Sequence, residues 1–345
     1  MSLLWIKKGV LLMENNIDTM IVNSKTVSRE HYSDKVKDIL NQLEKVILNS
    51  KDLLLEANQI DVNNQNGISL DFDVFEKIFQ RVKEEELFYG KVSLSIKDDE
   101  KKILYGKEIF DIGTVVVIDD GDSYVFLEMV LKNLLAGNAT IFCNSGYSYG
   151  VNQLLLQFIQ NVLEQFHFSK NFIQIYLSEE YDDVYQNFAN IDLIVCIGDH
   201  NLQRSVLEKS KNPVLVSGYN HFDLYIEDKT HLSFLEEILK TSLPIQVYVN
   251  ESLDLDLPDA IYVSDIDEAI GQIEYNGNGY STSIFTENPE HASKFIKEVS
   301  STYVTVNTSP TIERILDISL KDLVREKTII YPTNISIKKI ERMIL

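Results

Sequence analysis

The chain of 345 residues has only two cysteines, Cys143 and Cys196, each closing an apolar run. Two are too few for a disulfide framework or a cysteine-based metal site. They point to a reducing compartment, and the expected location is cytoplasmic. Long basic runs are also missing: the clusters are pairs such as Lys101 with Lys102 and Lys338 with Lys339. Against a net charge of −21 they form no face that could neutralise phosphates, so nucleic acid is excluded as a partner. No segment reaches the ~18 consecutive apolar residues of a membrane span, and no membrane partner is expected. A secretory leader pattern is absent, because apolar Leu3, Leu4, Trp5 and Ile6 precede Lys7 and Lys8 instead of following them. Met13 to Asn16 reads as a more natural start, with residues 1–12 as an upstream extension.

What is present is ordinary globular material, 44% hydrophobic and 25% charged, in a length that suggests two domains. Apolar residues recur at helical spacing over 33–57 and again over 72–82, which predicts two or three amphipathic helices. Residues 92–96 and 103–109 alternate around the acidic turn at 98–100, a β-hairpin pattern. From residue 113 strands and helices alternate. The strands are 113–118 (GTVVVI), 139–143, 172–177, 191–197 and 213–216, and the helices 125–135, 151–166 and 202–209. Continuous β-branched runs between helices mean βαβ units and a parallel sheet covered on both faces. Further on, the pattern predicts a helix at 232–239, strands at 245–249 and 260–263, and a helix at 265–275. A strand (281–286), a helix (289–299) and a strand (303–307) follow.

Ligands of such sheets sit beyond the carboxyl ends of the strands. Those ends are Asp119-Asp120-Gly121-Asp122, Asn144-Ser145-Gly146, Gly198-Asp199-His200-Asn201 and Ser217-Gly218-Tyr219-Asn220-His221. Small polar loops are common to all βα units, but several glycine-containing ones along one edge favour a pocket. The candidate cofactor-binding residues are therefore Asn144, Ser145, Gly146, Gly198, Asp199, Ser217 and Gly218.

The order of these pieces resembles the aldehyde dehydrogenase superfamily, and within it the γ-glutamyl phosphate reductases. Glu56-Ala57-Asn58-Gln59-Ile60-Asp61 resembles the end of the family's N-terminal helix. LKNLLAGNATIFCNSG from Leu131, centred on Ala136-Gly137-Asn138-Ala139, resembles its helix-to-strand turn. The stretch from Ile191 through the second strand follows the family's pattern, with His221 and Tyr225 in step. NGNGYSTSIFTEN from Asn276 and YVTVN from Tyr303 match two later segments. The resemblance covers about residues 35–331 with one large gap. It implies an α/β, aldehyde-dehydrogenase-like fold: a Rossmann-like nucleotide-binding domain, a truncated α/β catalytic domain and a β-hairpin oligomerisation element. The implied division is 1–33 as an N-terminal extension and 34–240 as the cofactor domain with hairpin 92–109. A shortened catalytic-type domain (241–310) and a returning C-terminal segment (311–345) complete it. NAD or NADP is the implied cofactor. The hairpin and the strand-like 328–331 imply a homodimer, since exposed strand edges need cover.

The family's chemistry needs a thiolate that attacks an aldehyde or acyl carbon. The stretch expected to hold that cysteine is missing after residue 240, where the chain reads Lys240-Thr241-Ser242-Leu243-Pro244. Ser242 is the nearest hydroxyl and His231 the nearest base, but capping or solvent exposure accounts for His231 more simply. No catalytic residue is assigned. The family's Pro-Asn segment, which supplies an oxyanion donor, is replaced by Asp119-Asp120-Gly121-Asp122. Those carboxylates repel an anion unless a cation such as Mg²⁺ or Ca²⁺ intervenes. Cys143 stands where the family often has a cation for the adenosine ribose, and both cysteines read as core. The expectation is a catalytically degenerate relative with a binding or regulatory role. The alternative is an NAD(P)-dependent oxidoreductase that reduces an acyl phosphate, acyl thioester or aldehyde with a rearranged site.

Overall fold

The computed structural model describes residues 16–27, 32–63, 70–85, 92–98, 103–119, 121–144, 148–178, 182–218, 221–229, 238, 245–255, 257–277, 279–310 and 316–332. The chain divides into two compact units. The first comprises Met1–Ile194, Lys211–Pro213 and Ser319–Leu345, and the second Val195–Ser210 and Val214–Ile318.

The first unit opens with four helices, α1 (Ile17–Lys25), α2 (Tyr32–Asn49), α3 (Lys51–Asn63) and α4 (Phe72–Glu84). The segment read as an N-terminal extension therefore contains a helix. Asn16 caps α1 by accepting from the Thr19 N–H, and Ile17, Met20 and Ile21 are buried. Gln174 ties α1 down by donating to Met20 O and Ser24 Oγ, both at 3.0 Å. The apolar stripe of α4 (Phe72, Phe75, Ile78, Phe79, Val82) is buried, as its spacing requires.

Strands β1 (Val92–Asp98) and β2 (Ile103–Asp111) form the expected antiparallel hairpin, with a bulge between Leu94 and Ile96. A later strand, β13 (Val324–Pro332), pairs antiparallel with β2 from Val324↔Asp111 to Pro332↔Ile103, giving a three-stranded sheet in the order β1-β2-β13. It is longer than the strand-like 328–331 read from the sequence.

The central strands are β3 (Thr114–Asp119), β4 (Ala139–Asn144), β5 (Ile173–Leu177), β6 (Leu193–Ile197) and β7 (Val214–Ser217), in the order β5-β4-β3-β6-β7. β3 pairs parallel with β4, and β4 with β5. Helix α5 (Ser123–Ala136) is buried along its whole length, which explains why its pattern is apolar on every side. α6 (Tyr149–Gln165) and the short α7 (Asp182–Gln186) complete this part, and α8 (His200–Lys209) links β6 to β7.

The Gly137-Asn138 turn shows why that motif is specific. Gly137 ends α5 in the left-handed region (φ 75°), where a side chain would be strained. Asn138, fully buried, accepts from the Ile112 and Gly113 N–H groups at 2.8 and 3.2 Å. Its amide donates to Asn133 Oδ1 at 3.0 Å and Leu323 O at 2.8 Å. One side chain thus fixes the entry to β3, the end of α5 and the chain that leads into β13.

The second unit is built on β8 (Phe222–Ile226), β9 (Ile245–Asn250), β10 (Ile261–Val263), β11 (Ser281–Phe285) and β12 (Tyr303–Val306). Their order is β10-β9-β8-β11-β12, and all the pairs are parallel. Helices α9 (Ile266–Asn276) and α10 (Pro289–Glu298) cover one face. There Tyr225, Tyr248, Ile266, Ala269, Ile270, Ile273, Ile284 and Phe295 make one apolar cluster. Both five-stranded sheets have the doubly wound order, in which the strand sequence reverses beside the first strand. The helix read at 232–239 lies outside the described residues except for Ile238, which is buried.

Candidate functional site

The carboxyl ends of β6 and β7 come together as the sequence predicted, and the chain's own groups fill them. Gly198 N–H donates to Ser217 O at 3.1 Å. Asp199 is the N-cap of α8, and its carboxylate accepts from the Leu202 N–H at 2.8 Å. Gln203, one turn into α8 and buried, donates from Nε2 to both Gly198 O and Ser217 O at 3.0 Å. The Ser217 hydroxyl donates to Asp317 Oδ1. His221 N–H donates to Gly218 O at 3.2 Å. Gly198, Asp199, Ser217 and Gly218 therefore share one edge. A helix N-terminus of this kind can hold a phosphate. Here a carboxylate already caps it, so a dinucleotide's pyrophosphate would meet a fixed negative charge. At this helix start the Asp199 carboxylate opposes that group.

The other predicted cofactor residues lie in the first unit. Asn144 ends β4, and Ser145 and Gly146 lie outside the described residues. The following helix, α6, starts at Ser148 in the left-handed region without a side-chain cap of its own. Its Gly150 and Val151 N–H groups both donate to the Asp61 carboxylate at 3.0 Å. Burial pushes the Asp61 carboxyl up, and the two amides pull it partly back down. Asn58 accepts from the Leu70 N–H at 2.9 Å. The Ala57-Asn58 and Asp61 motif is thus a clasp, joining the end of α3 to the start of α6 and to Leu70. In the acidic turn, Asp122 caps α5 by accepting from the Tyr124 N–H at 2.7 Å, and Asp119 is buried. Asp120 lies outside the described residues, as do His231 and Ser242. Among the described residues no group of three or more His, Cys, Asp or Glu side chains could hold a metal ion.

Both thiols are fully buried, Cys143 on β4 and Cys196 on β6. Burial first, and the neighbouring Asp119 second, push the Cys143 thiol far above its ordinary value. A thiolate nucleophile needs the opposite environment.

Sequence reasoning missed three features. Gln203 was findable, since it lies one helical turn after the cap at Asp199. Asp317 was not, because it reaches Ser217 across 100 residues of sequence. The third lies beyond β8 and β11, where the order of the second sheet reverses. There Glu227 is 2.6 Å from His291 Nδ1 and accepts from the Thr286 hydroxyl.

No protein-family model matches the chain. Its fold is that of the aldehyde dehydrogenase superfamily. A probable aldehyde dehydrogenase from Listeria monocytogenes matches with a TM-score of 0.68, covering 94% of this chain and 97% of that one at 12% identity. An NADP complex of a glyceraldehyde-3-phosphate dehydrogenase from Methanocaldococcus jannaschii matches with 0.66, covering 91% and 94% at 12% identity. In sequence the chain resembles the γ-glutamyl phosphate reductases. It is 21% identical to that of Petrotoga mobilis, over 83% of this chain and 85% of the relative. With that of Aquifex aeolicus it shares 22% identity over 86% of each. The Thermotoga maritima reductase structure matches with a TM-score of 0.60, covering 91% of this chain and 96% of that one at 17% identity. Among the described residues no helix is long and apolar enough to cross a membrane.

Proposed function

We propose that this chain keeps the aldehyde dehydrogenase fold without its catalysis and acts by binding or regulation. The observation that carries the reading is the state of its sulfur: Cys143 and Cys196 are both inside sheets and fully buried. The nucleotide edge supports it, since Asp199 occupies the start of α8 and Gln203 bridges the two strand ends. Titration of NADH and NADPH by fluorescence, followed by assays with an aldehyde, an acyl phosphate and an acyl thioester, tests it. Neither saturable quenching nor turnover is expected. Turnover of any of the three substrates overturns the proposal.

The second reading, an NAD(P)-dependent oxidoreductase with a rearranged site, draws on the resemblance to γ-glutamyl phosphate reductases across most of the chain. It requires tight NAD(P)H binding and a nucleophile other than the two buried thiols. A homodimer is part of the same proposal. β13 pairs with β2 along one edge, and among the described residues no strand pairs with its other edge. Sedimentation velocity giving twice the 39.6 kDa chain mass supports the dimer, and a monomer at micromolar concentration overturns it.

A further inference from the structure

His221 and Asp223 flank the start of β8, and neither takes part in the reading above. Asp223 is 1% exposed, on the face of the sheet that α9 covers. Its Oδ1 accepts no hydrogen bond. The imidazole of His221 stands beside it, with Nε2 3.9 Å from that oxygen. The other carboxylate oxygen lies under the end of α9, where a Cβ on Gly277 would come within 2.8 Å of it and within 2.6 Å of Ile273 O. Only glycine lets the helix end this close to the acid. On β9 the buried Tyr248 hydroxyl faces the same carboxyl. The residues beside Asp223 in register are Gln246 on β9 and Thr282 on β11, neither of them charged. α9 contributes Glu274, a second negative charge, and the carbonyl end of the helix dipole. His221 in turn feels Asp199 at the start of α8.

We propose that Asp223, with His221 beside it, is a proton switch that controls closure of the last turn of α9 onto the second sheet. Protonated, the carboxyl fits beneath the helix end as a neutral group and can donate a hydrogen bond. Ionised, it places a buried charge against the helix carbonyls and Glu274 with only the Tyr248 hydroxyl to offset it, and water reaches it when the last turn of α9, 273–277, opens. Burial pushes the Asp223 carboxyl up to about 7, with Glu274 adding to the rise and Tyr248 offsetting part of it. Burial lowers His221, and Asp199 opposes that.

The direction of the switch follows from these two groups. In the opened form the Asp223 acid ionises from the ordinary carboxylate value of 3.8, whereas closed it waits until about 7. Closure is therefore tightest on the acid side, weakens as pH rises between those values, and is constant above about 7. His221 acts oppositely, because it takes up a proton more readily when opened. Its contribution lowers the slope below pH 6.5 without reversing the total.

Hydrogen exchange of the amides at 273–277 in the full chain, expressed as protection factors, tests the proposal. In the His221→Gln chain the opening equilibrium should grow roughly thirtyfold between about pH 5.5 and 8. The wild type should rise in the same direction less steeply, and the Asp223→Asn chain should show no pH dependence. No rise in either of the first two chains, or the same rise in Asp223→Asn, overturns the switch. Should Asp223→Asn fail to fold, the carboxyl carbon resonance of Asp223 in the wild type decides. A titration midpoint near 7 supports the switch, and one near 4 overturns it.

Discussion

Replacing Asn138 by alanine removes the densest polar junction of the first unit, and its cost can be worked out bond by bond. The side chain is 0% exposed and makes four hydrogen bonds. Alanine leaves Leu323 O and Asn133 Oδ1 without their donor in fully buried surroundings. It also leaves the Ile112 and Gly113 N–H groups without their acceptor in half-buried ones. An orphaned buried polar group costs about 1–3 kcal/mol, and the half-buried pair costs less because water can replace the lost acceptor. The total should be about 3–5 kcal/mol. Asn138→Asp separates hydrogen bonding from shape. It keeps an acceptor for Ile112 and Gly113 but turns a carboxylate oxygen toward two other acceptors, so at neutral pH it should be no better than alanine. The loss should be read from hydrogen exchange on β3 and α5, because a chain of two units need not unfold in one step. A loss under about 1 kcal/mol for Asn138→Ala, or wild-type stability for Asn138→Asp, would refute the argument that this amide organises the turn.

Three further outcomes follow from the same structure. Ellman's reagent should modify neither thiol within an hour under native conditions and both in denaturant; rapid reaction of Cys143 or Cys196 in the folded chain would remove the main support for a non-catalytic role. Glu128 is buried between Arg81 at 2.9 Å and Lys132 at 3.0 Å, and because Lys132 keeps Glu85 at 3.6 Å and Arg81 is partly exposed, Glu128→Ala should cost about 1–3 kcal/mol. The double variant Glu128→Leu with Lys132→Met should recover more than half of that in urea unfolding, and no recovery would show that the pair itself supplies the stability. Asp199→Ser keeps a capping oxygen and removes the charge at the start of α8, and should give saturable NADH quenching that the wild type lacks. Continued absence of quenching would mean that this carboxylate is not what opposes a phosphate.

Much of the fold was legible because the patterns that carry it are local. The run at 114–118 is β-branched throughout, and a strand covered on both faces needs nothing more. The stripe of α4 reads directly as one buried face. Asn138 was visible as a motif, although its bond to Leu323, 185 residues away, was not. The helix before residue 33 was not legible in the sequence for a physical reason. Nine residues of α1 are too few to show a clear stripe, and the helix is held by Gln174, whose role no local pattern reveals. The strand ends were legible as an edge but not as a filled one. Small polar residues at a strand end look alike whether they await a ligand or already bond one another. Gln203 and Asp317 bond these ends only once folding has brought them there.

The acidity of the chain takes on a local meaning at the two helix starts. A net charge of −21 by itself speaks of solubility. Yet α6 and α8 each begin with a carboxylate from this chain on their N–H groups, Asp61 on one and Asp199 on the other. These are the positions where the helix dipole favours an anion, and an internal anion there is held in place without any loss of translational freedom. A diffusing phosphate must displace it and also overcome the charge left behind. The two substitutions differ in reach. Asp199 sits on its own helix and can be outcompeted by swinging one side chain, whereas Asp61 comes from α3 and cannot leave without loosening the clasp. A ligand that restores nucleotide binding would therefore have to enter at α8, and Asp199→Ser is the variant in which that entry is open.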